Sequence, residues 1–597
     1  MTIPSLVTVW EESSRRNATR DALAERRPGG EWAWLSYADV AARVDRCRSG
    51  LARLGVSPGD RVAVISDNRV DWVVACYAIY GLEGALVPMY QAQLDREREH
   101  ILEDSGATIA LVATEPLYTS VSALRERLPS LRAVVGFDLP PDHPDSFAAL
   151  LALGEAEPIP ARRPAPGTVA GFFYTSGTTG LPKGVVLTHA NLGSNLLAMR
   201  EVFPLEPGEI SLSFLPWAHS FGQVCELHYG LSQGMSIAIN DAIPNLLENL
   251  KEIRPTILVA VPRVFNRIYR AVMQDISQRP APLRRLFQDG LEAAAQHRRG
   301  EKVGFLRELE LKLDDKLIFA KIRERFGGRL EKVISGSAAL TLEVAELIDA
   351  LGIAVYEGYG LSETSPVVAA NTPRHRKLGS VGRVLPGVRV VIDESKGGAK
   401  GEGEIIVYGP NVMRGYHHRE EENAAALTED GGLRTGDLGR LDEDGYLFIT
   451  GRIKEQYKLE NGKYVMPGVV EEELKLSPYI ANVMVHGDGR PYNIAIVVPD
   501  LPALEDWAKR EGLELSDPAR DPRVHALLMD ELEKHGHTLR GYELPKKLLV
   551  LTDDFTTEGG TLTPTLKLKR REVLSRYRRE VDALYAGPDD TRVPASI

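Results

Sequence analysis

The sequence predicts an α/β protein: a large N-terminal domain of layered α/β sheets with a β-rich subdomain, then a small C-terminal α+β domain. Three observations predict this. Short apolar runs alternate with helical patterns through the first part of the chain, the signature of a largely parallel sheet. From Val388 onward the pattern changes to closely spaced β segments, VRVVID, EGEIIVYG and YLFIT. And 597 residues exceed what one hydrophobic core holds, so at least two domains are expected.

Taken in order, residues 1–60 read as helical. Within them Tyr37–Leu54 places Val40, Ala41, Val44, Leu51 and Leu54 on roughly one face. Gly55 and the turn Ser57-Pro58-Gly59-Asp60 stop that helix. Arg61–Ser66, Ala85–Met89 and Thr108–Ala113 read as strands, separated by a buried helix at Asp71–Gly81 and a charged one at Leu94–Ser105. Residues 138–168 are rich in proline and read as a linker or surface loop. Further strands are expected at Val169–Phe173, Ile210–Trp217, Ser236–Asn240 and Thr256–Val261. Residues 263–329 are strongly charged and read as a helical insertion. Lys332–Ala339 and Ala354–Thr364 are strands running into small-residue loops. After Gly451 the sequence changes character. Met466-Pro467-Gly468 makes a turn into an acidic helix, strands follow at Val483–His486, Ile494–Val498 and Leu548–Leu551, and a basic helix carries Val573, Leu574, Tyr577, Val581 and Leu584 on one side.

Composition narrows the class. Hydrophobic content of 43% and charged content of 26% suit a globular protein. A net charge of −11 argues against nucleic acid as a partner. Cys47, Cys76 and Cys225 are odd in number and lack metal-site spacing, which fits free thiols in a reducing compartment. The start MTIPSLVTVWEESS has no basic segment of the kind that opens a secretory leader. The longest apolar stretch, Trp72–Tyr90, is interrupted by Glu83 and glycines and does not read as a membrane span. A cytoplasmic protein is expected, with peripheral contact at the inner face of the membrane left open.

The stretch Tyr174–Val185, YTSGTTGLPKGV, follows a strand and holds three glycines, three threonines, a serine and a lysine. Glycine lets backbone N–H groups point inward, hydroxyls donate further hydrogen bonds, and a lysine adds charge, so the stretch suits phosphate groups. It is not the mononucleotide P-loop: Gly184, not a hydroxyl, follows Lys183, and nothing there holds magnesium.

Together with LPWAHSFG, SGSAAL, YEGYGLSET, RTGDLG, GRIKEQYKLENGKYVMP and LTPTLKLKR, this loop resembles, in order and over nearly the whole chain, the adenylate-forming (ANL) superfamily. LPWAHSFG, the charged insertion and LTPTLKLKR look most like its long-chain fatty-acid–CoA ligase branch. The resemblance implies a two-step reaction: a fatty acid and ATP give acyl-AMP and pyrophosphate, then coenzyme A displaces AMP. An acyl-AMP ligase that loads a carrier protein, and a catalytically silent nucleotide- or lipid-binding member of the fold, are the alternatives. It also implies domains 1–451 and 452–597, the second rotating between half-reactions, and leaves a homodimer open.

Residue by residue, the resemblance implies that Thr175, Ser176, Gly177, Thr178, Thr179, Gly180 and Lys183 hold the β- and γ-phosphates. Gly336, Ser337 and Ala338 line the adenine, on which Tyr359 of Glu357-Gly358-Tyr359-Gly360 packs. Ser362 stands beside the α-phosphate, and Glu363 binds Mg2+, a hard cation that takes oxygen ligands. Asp437 accepts from the ribose hydroxyls, Arg452 lies near ribose and phosphate, Lys454 is the hinge and Gly462 lines the pantetheine channel. His219 lies near the acyl carboxylate. The catalytic lysine is assigned to Lys567, with Lys569 as the alternative because Leu566 stands where the family has glycine. Phe214, Trp217, Val224 and Tyr229 are the candidates for an apolar acyl pocket.

Overall fold

The computed structural model describes residues 3–175, 181–298, 319–396, 400–557, 559–563 and 567–586. Two large sheets dominate. One has nine strands, in the order Arg383–Val384, Val367–Ala370, Ala354–Gly360, Lys332–Ser335, Ile257–Ala260, Ile210–Ser213, Ser236–Ile239, Asp21–Arg26 and Trp32–Ser36. The other has seven: Gly415–Tyr416, Lys183–Thr188, Val169–Thr175, Ala85–Met89, Arg61–Ile65, Ile109–Val112 and Ala133–Gly136. The central pairs of both are parallel. Their apolar strands are buried on both faces, as the continuous runs RVAVI and ALVPM require. Helix Val70–Tyr80, apolar but for Asp71, lies in the largest core, with Trp72, Tyr77 and Tyr80 buried.

Helix starts are chemically marked. Ser36 and Asp39 exchange hydrogen bonds in a capping box that opens helix Tyr37–Arg53, and Thr188 and Asn191 do the same for helix His189–Val202. A four-stranded sheet, Arg389–Asp393, Gly403–Tyr408, Leu433–Leu441 and Leu447–Arg452, makes the β-rich part. The C-terminal unit packs helices Pro467–Leu474, Leu501–Glu511 and Pro522–His535 on a sheet of Ile480–His486, Ile494–Pro499 and Lys547–Val550. Arg452, placed in the small domain by sequence, pairs with Asp437 as the last residue of its strand in the four-stranded sheet.

Four expectations need correction. Residues 1–60 are not helical throughout: Pro28-Gly29-Gly30 turns a hairpin, Asp21–Arg26 with Trp32–Ser36, onto the edge of the larger sheet. The proline-rich stretch contains helix Phe147–Glu155, opened by the Ser146 cap. The strand expected to reach Trp217 ends at Ser213, and a π-helix, Phe221–His228, follows. The basic C-terminal helix is two, Arg570–Arg576 and Arg578–Tyr585, divided at Tyr577. Residues 299–318 of the expected insertion lie outside the described residues; helices Pro262–Ser277, Ala281–Arg298 and Ala320–Glu324 flank them.

Candidate active site

The site begins where parallel strands end, the usual place for a ligand in an open α/β sheet. Lys332–Ser335 and Ala354–Gly360 are parallel neighbours, with Ser335 opposite Glu357. Beyond Ser335 the chain passes through Gly336 and Ser337, which takes a φ of 70°. A Cβ on Gly336 would stand 3.0 Å from the Phe221 ring, so glycine allows this strip to lie flat on the π-helix. A Cβ on Gly360 would sit 1.7 Å from the Pro366 carbonyl oxygen, which excludes any side chain there. Burial pushes the Glu357 carboxyl up to about 7, against the backbone N–H groups of Gly379 and Leu340 that pull it down.

Three strands then bring Tyr359, Asp437 and Arg452 together. The Tyr359 hydroxyl donates to Asp437 Oδ2 at 2.7 Å, and Arg452 Nε donates to Oδ1 at 2.6 Å. Asp437 is 2% exposed. Each of its oxygens keeps a second lone pair for an incoming hydroxyl. Burial, and then the Asp437 charge, holds the Tyr359 phenol well above its usual range, so it stays a donor.

A second cluster lies beside strand Lys183–Thr188, with which Gly415–Tyr416 pairs. Ser362 Oγ lies 2.9 Å from Ser220 Oγ, both buried. The Tyr416 hydroxyl donates to Glu363 Oε1 at 2.9 Å, and Lys183 Nζ stands 4.2 Å above the Tyr416 ring. Thr175 pairs with Lys183 in register, closing the base of the loop. Ser176, Gly177, Thr178, Thr179 and Gly180 lie outside the described residues.

The segment Lys567-Leu568-Lys569 comes from the C-terminal unit. Leu568 bridges to Leu562 and packs into that unit's core. In extended chain the two flanking lysines then share the opposite side. Lys567 keeps a water-accessible surface but stands in a crowded cleft, and its ammonium is pulled below the usual lysine range, first by desolvation and then by Arg452. Asp437, Glu455 and Glu363 act in the other direction. His219 is held down to about 4 by burial, with Lys567 adding to it, so its ring is neutral at pH 7. Its Nδ1 accepts from the Phe221 N–H at 3.2 Å. Lys569 instead pairs with Glu97 at 3.7 Å.

Lys454 and Gly462 stand apart from this group. Both are exposed, and Gly462 turns a hairpin between Tyr457–Lys458 and Tyr464–Val465 with a φ of 85°. Tyr416, Ser220, Phe221 and Glu455 were not anticipated. Tyr416 sits in a two-residue strand that has no sequence periodicity, whereas Ser220 and Phe221 lie within LPWAHSFG, where position next to His219 was the available signal.

An apolar cavity of about 80 Å3 opens at this wall. Gly336, Tyr359 and Gly360 bound one end, and Met199, Val202, Phe203, Cys225, Tyr229 and Tyr356 the apolar remainder. Of the four acyl-pocket candidates, Tyr229 lines it. Trp217 packs against Trp72 in the core, Val224 is fully buried there, and Phe214 packs on a second core beneath the larger sheet.

Among the described residues no helix is long and apolar enough to cross a membrane. The family described as AMP-binding enzyme matches residues 10–417, and its C-terminal domain matches 454–589. A long-chain-fatty-acid–CoA ligase of Mycobacterium tuberculosis is 32% identical, covering 98% of this chain and 99% of its own. The human long-chain-fatty-acid–CoA ligase 1 is 31% identical over 94% of this chain and 84% of its own. The crystal structure of the adenylation domain of a Mycobacterium chelonae carboxylate reductase superposes with a TM-score of 0.80 at 24% identity, covering 98% of this chain and 91% of that one. At that identity it shows the fold, which is the one observed here. With both parts of the chain matched and the relatives aligned end to end, this protein belongs to the AMP-binding enzyme family.

Proposed function

We propose that this chain is a long-chain fatty-acid–CoA ligase: it joins a fatty acid to ATP as acyl-AMP, releasing pyrophosphate, and then transfers the acyl group to coenzyme A, releasing AMP. The observation that carries this reading is an apolar cavity lined both by Tyr359 and Gly360 of the nucleotide cluster and by His219, whose ring feels the Lys567 charge. An acyl chain suits the apolar remainder, and its carboxylate would meet the α-phosphate beside His219.

Bringing a carboxylate to a phosphate sets like charges together, so the site must supply orientation and positive charge. Lys567 and Arg452 supply charge where negative charge grows on phosphorus. Neutral His219, its Nδ1 accepting from Phe221, carries its proton on Nε2 and can donate that N–H to a carboxylate oxygen. Ser362 faces the same position. Asp437, oriented by Tyr359 and Arg452, accepts from the ribose. Gly336, Ser337, Ala338, Glu357, Gly358, Tyr359 and Gly360 form the adenine wall, and Thr175 and Lys183 flank the phosphate-holding loop. Glu363 fits Mg2+: its carboxylate is half-buried, and among the described residues no cluster of three His, Cys, Asp or Glu forms a dedicated metal cage. One carboxylate plus substrate phosphates is how magnesium is usually held, and bound there it would neutralise phosphate charge. In the second step the unit after the hinge Lys454 would rotate about it and bring the Gly462 hairpin to the pantetheine arm.

The test is to incubate the protein with ATP, Mg2+, CoA and fatty acids of increasing chain length, and to measure AMP and acyl-CoA. Long-chain acyl-CoA is expected. Acyl-adenylate without thioester would instead establish an acyl-AMP ligase, and no fatty-acid-dependent pyrophosphate would establish a silent member of the fold.

A further inference from the structure

Helix Asp95–Ser105 lies between the two halves of this machinery, and three side chains on one of its faces reach three different parts of it. Glu97, His100 and Asp104 are spaced i, i+3 and i+7, which aligns them along a single helical stripe. Asp104 accepts from the Tyr174 hydroxyl at 2.7 Å, just before the phosphate-loop stretch, and also pairs with Arg419 at 3.4 Å. His100 Nε2 lies 3.1 Å from the Pro182 carbonyl oxygen, just after it. A carbonyl only accepts, so this ring nitrogen carries the proton. Glu97 pairs with Lys569, two residues beyond Lys567, across from the large part of the chain to the C-terminal unit.

We propose that this stripe registers the C-terminal unit against the phosphate-loop strands for the first half-reaction, with Glu97 and His100 as positioning residues. Glu97 is 9% exposed, and among the described residues Lys569 is its ion-pair partner. If the C-terminal unit rotates, that carboxylate loses its counter-charge, so the pair favours the docked arrangement. Because Lys567 and Lys569 share one side of an extended segment, seating Lys569 on Glu97 fixes the position of Lys567. Through His100 and Asp104 the same helix holds the strands on either side of the loop. The pair therefore acts on adenylation, where Lys567 is needed, and has no part in thioester formation. This inference rests on the proposed function.

The experiment measures fatty-acid-dependent ATP–pyrophosphate exchange and, separately, CoA-dependent consumption of supplied acyl-adenylate. Glu97→Gln and Lys569→Gln are each expected to slow exchange about five- to tenfold, the worth of a partly buried ion pair, and to leave the second reaction within about twofold. The losses should not add in the double variant, and the charge swap Glu97→Lys with Lys569→Glu should recover much of the exchange. His100→Ala should slow exchange in the same selective way, while His100→Gln, whose amide can still donate to Pro182, should retain it. Equal loss in both half-reactions, unchanged exchange in Glu97→Gln, or a charge swap that recovers nothing overturns the inference. Wild-type protein that shows no exchange with any fatty acid overturns the proposed function instead.

Discussion

Lys567 and Asp437 are the residues on which the chemistry should depend most sharply. On the proposed function, Lys567→Ala removes a charge that the first step alone should use. Pyrophosphate exchange should fall by at least about a hundredfold, the scale of losing one preorganised electrostatic group, while supplied acyl-adenylate is still consumed with CoA. Lys569→Ala should cost far less, because its ammonium is engaged by Glu97. The motif LTPTLKLKR left these two lysines open, since sequence spacing does not show which one an extended segment aims at the nucleotide. Asp437→Asn keeps the shape but removes the charge between Tyr359 and Arg452. KM for ATP should rise about tenfold or more, the effect of weakening a hydrogen bond to a charged group. Initial rates at varied ATP check this.

At the scale of the element, the π-helix Phe221–His228 buries, beside the Cys225 thiol, an acid and a base. Burial lowers His228 to about 3, with His189 adding to it, and the Tyr77 hydroxyl lies 2.9 Å from its Nδ1. Unfolding returns the ring to about 6.5, so the unfolded chain binds more protons between these values and stability falls as pH drops from about 6.5 toward 3. Glu226 is raised to about 7 by burial, against donors that include Ser211 and Ser213. Here the folded chain binds more protons, so stability falls as pH rises from about 4.5 to 7. His228→Gln should flatten the acid limb of a melting-temperature profile, and Glu226→Gln the decline as pH rises toward neutrality. Neither effect was legible in the sequence, because LPWAHSFG reaches only the first two residues of this helix and nothing in FGQVCELH marks an extra residue per turn. Parallel strands such as Ala85–Met89 and Ile109–Val112 were legible, since their apolar runs are set by burial on both faces. The hairpin Asp21–Arg26 with Trp32–Ser36 was not, because its strands take their identity from the sheet edge they join.

For the whole molecule, contacts between the two units include Asn266 with Glu472, Arg270 with the Ile480 carbonyl, and Glu97 with Lys569. Covalently they are joined near Lys454, which is exposed and donates no backbone hydrogen bond among those described. Lys454→Pro should therefore fold normally, yet stiffen this residue and Ile453 before it. The expected result is near-normal pyrophosphate exchange with overall acyl-CoA formation slowed by about tenfold or more, read by comparing the two assays. Motifs single out polar candidates such as Asp437 and Glu363 because polar chemistry restricts residue type, and the structure sets Asp437 with Tyr359 and Arg452, and Glu363 with Tyr416. The acyl side was not legible: Trp217 and Tyr229 are equally apolar in the sequence, and only packing sends one to the core and the other to the cavity. That cavity has a consequence for selectivity. Its apolar walls offer water few partners, so a short acid would leave poorly bonded water, or empty space, beyond its terminal methyl. Discrimination against short acids would then operate through hydration, without any clash, and should fade gradually with each methylene; the upper limit on length, set by rings such as Phe203 and Tyr356 at van der Waals contact, should be abrupt.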